Sequence, residues 1–396
     1  TAMLISFHAF TSKYSKAVAI VYIVICCLIA TPENSTIWRI APLGNQNDEC
    51  RYYISSRGGD GIGHQMEAKF SCLATAWVLN HTYVHHPVSE LEHGADPRTM
   101  ENLFGMSYVT SILPNKIAVP YDNNTMIPKR HAPKWIGSCN QASWFQSDTK
   151  EQAECAEKRE QIKVHTFDNC WDYFWCHVES WKDVWQRDIR PLLHLRASTI
   201  SPSYQRANST LYLALHVRLG DSGYRRLSSS WCMNVLHHLV LAASEINTID
   251  HVYAVVHSDG SKDEVKDGLG LTSTKIASLV NNNFFEFSLL TKGTNTSPAQ
   301  AIADMIDADI FIASCSGLSY VAALLRTNPQ TILHPETKER PRMVQLGWSM
   351  LRVEDDDVWR CAEATPSNAS GGCKRWHSVG DFFWSNLMTI ATSGAD

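Results

Sequence analysis

The chain has 396 residues, 44% of them hydrophobic and 13 of them tryptophan, enough for two domains with sizeable cores at roughly 100–200 residues each. Its formal net charge of −5 and its short basic clusters, such as Arg225-Arg226, exclude the basic footprint of a nucleic-acid binder. Solenoid repeats and long low-complexity tracts are absent from the sequence, which excludes a repeat array or a disordered tail as its main body.

Lys13 and Lys16 precede an uncharged apolar run over 17–30, which Thr31-Pro32 ends. A membrane span needs about 20 residues. The run therefore suits a signal-peptide core or, extended through Tyr14 and Ser15, a signal-anchor with its lysines on the cytoplasmic side. We assign 1–32 to this segment and 33–50 to a stem. Asn-x-Ser/Thr sequons at Asn34, Asn80, Asn123, Asn208, Asn295 and Asn368 predict a lumenal body. The expected location is the Golgi or endoplasmic reticulum membrane, with secretion as the alternative. With Cys26 and Cys27 in the apolar run, ten of the twelve cysteines remain, an even number as a disulfide framework requires. Short separations suggest the pairs Cys139/Cys155, Cys170/Cys176 and Cys361/Cys373, with Cys72 and Cys315 outside the framework. Zinc at Cys170…Cys176-His177 is a competing reading that no C-x-x-C pair supports.

Residues 51–55 read as a strand. The six residues 58–63 include four glycines, which let the backbone turn sharply or approach a ligand. A helix is expected over 64–80, with Met66, Phe70, Leu73, Trp77 and Leu79 apolar, and a strand over 82–85 completes a βαβ unit. The spacing of Gly59, Gly61 and Gly63 is not the dinucleotide fingerprint, because His64 stands where the third glycine is required. A turn built of glycine for geometry alone explains the loop equally well. Residues 121–170, rich in Pro, Asn and charge, are expected to form loops over the first domain and to shape an acceptor site. An amphipathic helix over 181–195 leads into a linker over 190–209.

The second half alternates strands and helices. Strands are expected at 211–217, 251–257, 284–287, 309–313 and 331–334. Helices are expected over 231–243, 297–307 and 318–326, the second opened by Ser297-Pro298-Ala299-Gln300 as a capping box with proline at the first helical position. This alternation predicts a doubly wound parallel sheet. Three polar turns then fall at strand carboxyl ends, the edge where such sheets bind ligands. They are His216–Asp221, Ser258–Gly260 and Ser314–Ser319. Arg218 suits a phosphate, since its planar fork holds two anionic oxygens; a loop ion pair with Asp221 is the bland alternative. The remaining Trp359–Asp396 stretch shows no clear period.

His216-x-Arg218-x-x-Asp221, the Ser258-Asp259 turn and the run from Ala308 to Leu325 resemble three successive motifs of the α1,2/α1,6 and protein-O-fucosyltransferase group. Arg57–Gln65 resembles the Gly-rich loop of that group, with His64 in place of its usual asparagine. The resemblance implies two facing Rossmann-like domains of the GT-B type, 51–207 on the acceptor side and 208–396 on the nucleotide-sugar side. It implies an inverting transfer of fucose from GDP-fucose to a glycan or glycoprotein, with Arg218 on the β-phosphate. His216, Asp221, Ser258, Asp259, Ser314, Ser316, Gly317, Ser319, Gly59, Gly61 and Gly63 would complete the donor site. Arg218 and the helix start at 316–319 would stabilise the leaving diphosphate without a metal or other cofactor. No Asp-x-Asp pair of the metal-chelating type stands at a strand end, and Asp355-Asp356-Asp357 reads as a solvated charge run. His64, Glu67 and Asp60 are candidates for the general base. A transferase using another nucleotide sugar, or a non-catalytic lumenal glycan-binding protein of the same fold, is the alternative.

Overall fold

The structure is a computed structural model. It describes residues 52–56, 61–78, 82–88, 91, 96–106, 118–120, 129–131, 163–167, 170, 174–175, 177–197, 200–219, 229–269, 283–291, 294, 297–335, 343, 346–354, 357–361, 373–376, 387–389 and 391–392. The expected signal segment and stem, Gly59, Asp60, Asp221, Asp355, Asp356, Cys139, Cys155, Cys176 and every sequon asparagine except Asn208 lie outside the described residues. Among the described residues no helix is long and apolar enough to cross a membrane.

The first half runs β1 (Tyr52–Ser56), α1 (Ile62–Val78), β2 (Thr82–His85), α2 (Pro97–Phe104), β3 (Ala118–Pro120), β4 (Lys129–His131) and β5 (Lys163–Phe167). Its strands form one parallel sheet in the order β3-β2-β1-β5-β4. Parallel pairing needs a crossover after each strand, and α1 supplies the first. Asp96 and Pro97 start α2: the Asp96 carboxylate accepts from Thr99 N at 2.9 Å, and Gly105 ends the helix in the left-handed conformation. The loops expected over 121–170 are corrected in part, because β4 and β5 lie there and β5 pairs with β1 along its whole length. Strands of three and five residues are too short to impose a readable period.

α3 (Val178–Val184), a π segment (Trp185–Ile189) and α4 (Arg190–Ala197) follow as one winding. Pro191 lacks an N–H, so the backbone widens just before it: Arg190 N–H reaches back five residues to Trp185 O.

The second half runs β6 (Thr210–Val217), α5 (Ser229–Ser244), β7 (His251–Ser258), α6 (Lys262–Gly268), β8 (Phe285–Leu290), α7 (Pro298–Asp307), β9 (Ile310–Ile312), α8 (Gly317–Leu325), β10 (Ile332–Pro335), β11 (Ser349–Glu354), β12 (Asp357–Cys361) and β13 (Cys373–Trp376). The eight strands lie in the order β13-β12-β11-β10-β9-β6-β7-β8. The six from β6 to β11 are parallel, and β12 and β13 extend the sheet antiparallel. From β6 the chain winds outward through β7 to β8, then returns to the other side of β6 at β9. The strand order reverses between β6 and β9, and a doubly wound sheet opens its crevice at the carboxyl ends there.

Alternation along β6 divides the core. Leu211, Leu213, Leu215 and Val217 pack with Trp231, Val235 and Leu239 of α5. Ala214 faces the other way, into a core shared by Phe70 and Leu73 of α1, Trp181 and Trp185, Ile302 of α7, and Tyr320, Val321 and Leu324 of α8. Phe174 stacks on Trp181 at 3.7 Å between ring centroids, and Phe70 meets Trp185 at 5.2 Å. This core binds α1 of the first sheet to α7 and α8 of the second.

The expected Cys170/Cys176 pair, and the reading of Cys72 as outside the framework, are corrected. Cys72 on α1 bonds Cys170, 98 positions further along the sequence, and both are fully buried. Sequence separation carried no information, because α1 and the segment after β5 meet only through the sheet. Cys361 and Cys373 stand at opposed positions of β12 and β13. Replacing Cys72 and Cys170 with serine is expected to lower the unfolding free energy by about 2–5 kcal/mol, read by chemical denaturation. A non-reducing peptide map joins the Cys72 and Cys170 peptides; one that joins Cys170 to Cys176 contradicts the fold.

Candidate functional site at the carboxyl edge of the second sheet

β6 and β7 pair in register, His216 opposite His257 and Val217 opposite Ser258. His216 and Arg218 point to the face of Ala214, and His257 and Asp259 share that face from β7. Arg218 Nε lies 3.4 Å from Asp259 Oδ2, and Asp259 Oδ1 accepts from Leu219 N at 2.9 Å. Among the described residues Asp259, in the turn after the adjacent strand, is a carboxylate neighbour of the arginine. Both side chains keep partial exposure, 22% and 36%, so the pair stands at the rim of the edge. Ser258 Oγ accepts from Gly260 N at 3.1 Å and closes the turn after β7.

One rung below, His216 is 5% exposed. Its Nδ1 shares hydrogen bonds with Ser319 Oγ at 2.7 Å and Ser314 Oγ at 3.1 Å. Ser319 Oγ also accepts from Ser314 N at 3.0 Å. Burial, then the charge of His257, pulls the His216 imidazole down to about 3. It is a neutral post that ties the end of β6 to the first turn of α8. Ser314, Ser316 and Ser319 are all buried, and two of these hydroxyls are committed to that post. Ser316 is the N-cap of α8 in extended conformation and makes no side-chain cap. The first turn of α8 therefore has no cap from its own N-cap side chain, and its N–H groups carry the positive end of the helix dipole.

The glycines predicted for the ligand loop divide by role. A Cβ on Gly63, in the first turn of α1, would collide with Leu318 N and stand 2.8 Å from Gly317 C. A Cβ on Gly317 would stand 2.9 Å from Gly63 C and 3.0 Å from Glu67 Oε2. The starts of α1 and α8 cross backbone to backbone, and only glycine at both points allows it. Gly61 has open space where a Cβ would project. Glu67 is fully buried and brings its carboxylate to Gly317, while His64 is half-buried in the first turn of α1. The structure thus brings together His216, Arg218, Ser258, Asp259, Ser314, Ser316, Gly317, Ser319, Gly63 and Glu67, with Gly61 and His64 at the adjoining start of α1.

Sequence reading missed His257 and Asp304. The two side chains form a buried pair, His257 Nε2 to Asp304 Oδ2 at 2.8 Å, beneath Arg218 and Asp259. Two signals were available: His257 immediately before the Ser258-Asp259 turn, and an acid on the apolar side of a predicted helix. The capping box expected at Ser297 is half formed. Ser297 Oγ accepts from Gln300 N at 3.2 Å, but Gln300 Nε2 donates to Ser201 O and Asp304 Oδ1. The Gln300 side chain is thereby turned toward Asp304 and Ser201, and its amide group serves the buried carboxylate.

The far end of α8 is also held. Trp185 Nε1 donates to Leu324 O at 3.0 Å, His194 Nδ1 to Leu325 O at 3.1 Å and Arg190 Nη1 to Arg326 O at 3.2 Å. A cavity of about 840 Å³ lies at the opposite edge, the amino ends of β6 and β9, lined by Arg206, Asp307 and Asp309 among others. Arg206 there bridges Asp307 at 3.0 Å and Asp309 at 2.8 Å, and Arg326 is buried on the carbonyls of Met305, Ile306 and Asp309. The carboxyl edge is the better candidate for chemistry.

Among solved structures the chain is similar to POFUT1 in complex with GDP-fucose, at 14% identity over 70% of this chain and 95% of that one, with a TM-score of 0.41. A glycosyltransferase from Rickettsia africae matches at 11% identity over 72% and 79%, TM-score 0.25. The N-terminal domain of a trehalose-6-phosphate phosphatase from Candida albicans matches at 10% identity over 59% and 47%, TM-score 0.28. No protein-family model and no curated protein matches the chain.

Gly63→Ala is expected to destabilise the fold by about 1–3 kcal/mol, because the added methyl meets backbone. Gly61→Ser, at an N-cap position with open space, should change stability by less than about 0.5 kcal/mol. Thermal melts of the two variants separate a packing glycine from a loop glycine. His216 gives a second expectation. Its folded value, about 3, lies below its ordinary 6.5, so the unfolded chain binds the extra proton between these values. Stability from this group is complete above pH 6.5 and is lost as the pH falls toward 3. Denaturation of His216→Gln should show a shallower acid loss than the parent; an identical slope contradicts a buried neutral imidazole.

Proposed function

We propose that this protein is an inverting glycosyltransferase that binds a nucleoside diphosphate sugar across the carboxyl ends of β6 and β9. One observation carries the reading: Arg218, the Ser258-Asp259 turn and the serine-lined start of α8 converge at the point where the strand order reverses. A guanidinium at the rim and helix N–H groups beside it suit a diphosphate. The resemblance of these same residues to fucosyltransferase motifs names GDP-fucose as the donor. The first sheet, reached through the start of α1, would present the glycan or glycoprotein acceptor in a GT-B arrangement.

In this mechanism the acceptor hydroxyl oxygen attacks the anomeric carbon from the side opposite the diphosphate. The bond from that carbon to the β-phosphate oxygen breaks, and GDP leaves with the electron pair. Charge grows on the leaving diphosphate, so contacts from Arg218 and the α8 N–H groups strengthen in the transition state. The acceptor proton passes to a base at the start of α1. Of the two described candidates, His64 is half-buried and Glu67 wholly buried, which favours His64. No step requires a metal.

A donor screen that reads nucleotide release should give GDP from GDP-fucose, and turnover should survive EDTA. Turnover abolished by EDTA and restored by manganese contradicts the metal-free step. Arg218→Ala should weaken GDP binding by about tenfold to a hundredfold, with a larger fall in turnover. Arg218→Lys, without the bidentate fork, should recover part. If Arg218 serves only as the partner of Asp259, alanine lowers the melting temperature and leaves GDP affinity per folded molecule unchanged. That result overturns the reading.

A further inference from the structure

Beneath Arg218 lies a carboxylate that the proposed reaction does not use. Asp304 of α7 is fully buried. Its Oδ2 is 2.8 Å from His257 Nε2 and accepts from Ser203 Oγ at 2.7 Å. Its Oδ1 accepts from Ser203 N at 2.5 Å and Gln300 Nε2 at 3.1 Å. Burial alone would push the carboxyl up, but the hydrogen bonds from His257 and then Ser203 hold it below the usual carboxylate range. The carboxylate ties three parts of the chain together: α7, the end of β7, and the segment that leads into β6.

His257 is the pivot. It stands one rung across from His216, the post for Ser319 and Ser314, and two residues before Asp259, the neighbour of Arg218. An imidazole without a fixed partner samples two ring orientations and two tautomers. With Nε2 held on a buried carboxylate it has one of each.

We propose that Asp304 is a positioning residue for donor binding, acting through His257 to hold the Arg218–Asp259 rung in register with the start of α8. The inference rests on the nucleotide-sugar reading above, since Asp304 itself touches no donor. Ser203 offers a contrast: it satisfies the same carboxylate from the linker side, through two hydrogen bonds that do not involve His257.

The test uses GDP as probe and the Arg218 Nε–H resonance as a second readout that needs no nucleotide. Asp304→Ala is expected to weaken GDP binding about tenfold per folded molecule and to shift the Arg218 resonance. Asp304→Asn keeps an amide oxygen for His257 Nε2 but turns its NH2 toward the Ser203 N–H, so it should recover only part of both. Ser203→Ala should lower the melting temperature and leave both readouts near those of the parent. If the alanine variant does not fold, the pair His257→Phe with Asp304→Leu replaces both polar partners by apolar groups and should give the same losses. Parental GDP affinity with a parental Arg218 resonance, in either folded variant, overturns the proposal. So does Ser203→Ala weakening GDP as much as Asp304→Ala, since that marks general loosening. A parent protein that binds no GDP defeats the donor reading. The Arg218 resonance then decides alone: a shift in Asp304→Ala that returns in part in Asp304→Asn sustains the positioning role, and its absence overturns it.

Discussion

The arrangement depends on one steric constraint, the crossing of α1 and α8 through Gly63 and Gly317. A methyl group at either point meets backbone of the other helix. The contact brings the start of a helix from the first sheet against the start of a helix from the second. Both starts follow a strand carboxyl end, one after β1 and one after β9. Two ligand edges are thereby made neighbours. Glu67 shares the contact, placing a carboxylate beside the positive end of the α8 dipole.

α8 is fixed at both ends by groups from other elements. Its start is set by Gly63, by the Ser314–His216–Ser319 hydrogen bonds and by Glu67. Its last carbonyls are satisfied by Trp185, His194 and Arg190. A helix of nine residues has little stability of its own, so its geometry comes from these partners and from the shared aromatic core. The same logic orders the edge of β6 and β7. Alternation puts Tyr212, Ala214, His216 and Arg218 on one face, and each meets its counterpart on β7. The polarity rises from a stacked tyrosine pair, Tyr204 on Tyr212 at 4.5 Å, to a buried imidazole rung and then to the rim ions. Stacked tyrosine rings at the bottom of the face support the polar groups at its top.

Much of the second sheet was legible in the sequence. β6, β7 and β9 are apolar runs that end in short polar turns, and Ser297-Pro298 marks the start of α7. The turns announce the edge because loops there cannot be apolar. The first sheet was legible only at β1, α1 and β2. β5 hides as five residues amid charged sequence, and α2 was passed over although Asp96-Pro97 carries its start signal. The partner of Cys72 was invisible because tertiary contact, not spacing, decides it. At the site, Arg218 and the serines stood out by type and position. The role of Gly63 did not, since a glycine needed for helix crossing and one needed for a ligand read alike. Asp304 lies among the buried alanines and isoleucines of α7, and its partner His257 comes from a distant strand that spacing does not reveal.

Amide hydrogen exchange with and without GDP addresses the central claim most directly. The account predicts that GDP slows exchange at Leu219 and at Gly317, Leu318 and Ser319, the backbone N–H groups beside Arg218 and in the first turn of α8. Protection confined to the opposite edge, around Arg206–Leu211 and Arg326–Asn328, or no protection anywhere, would contradict a nucleotide site where β6 and β9 diverge.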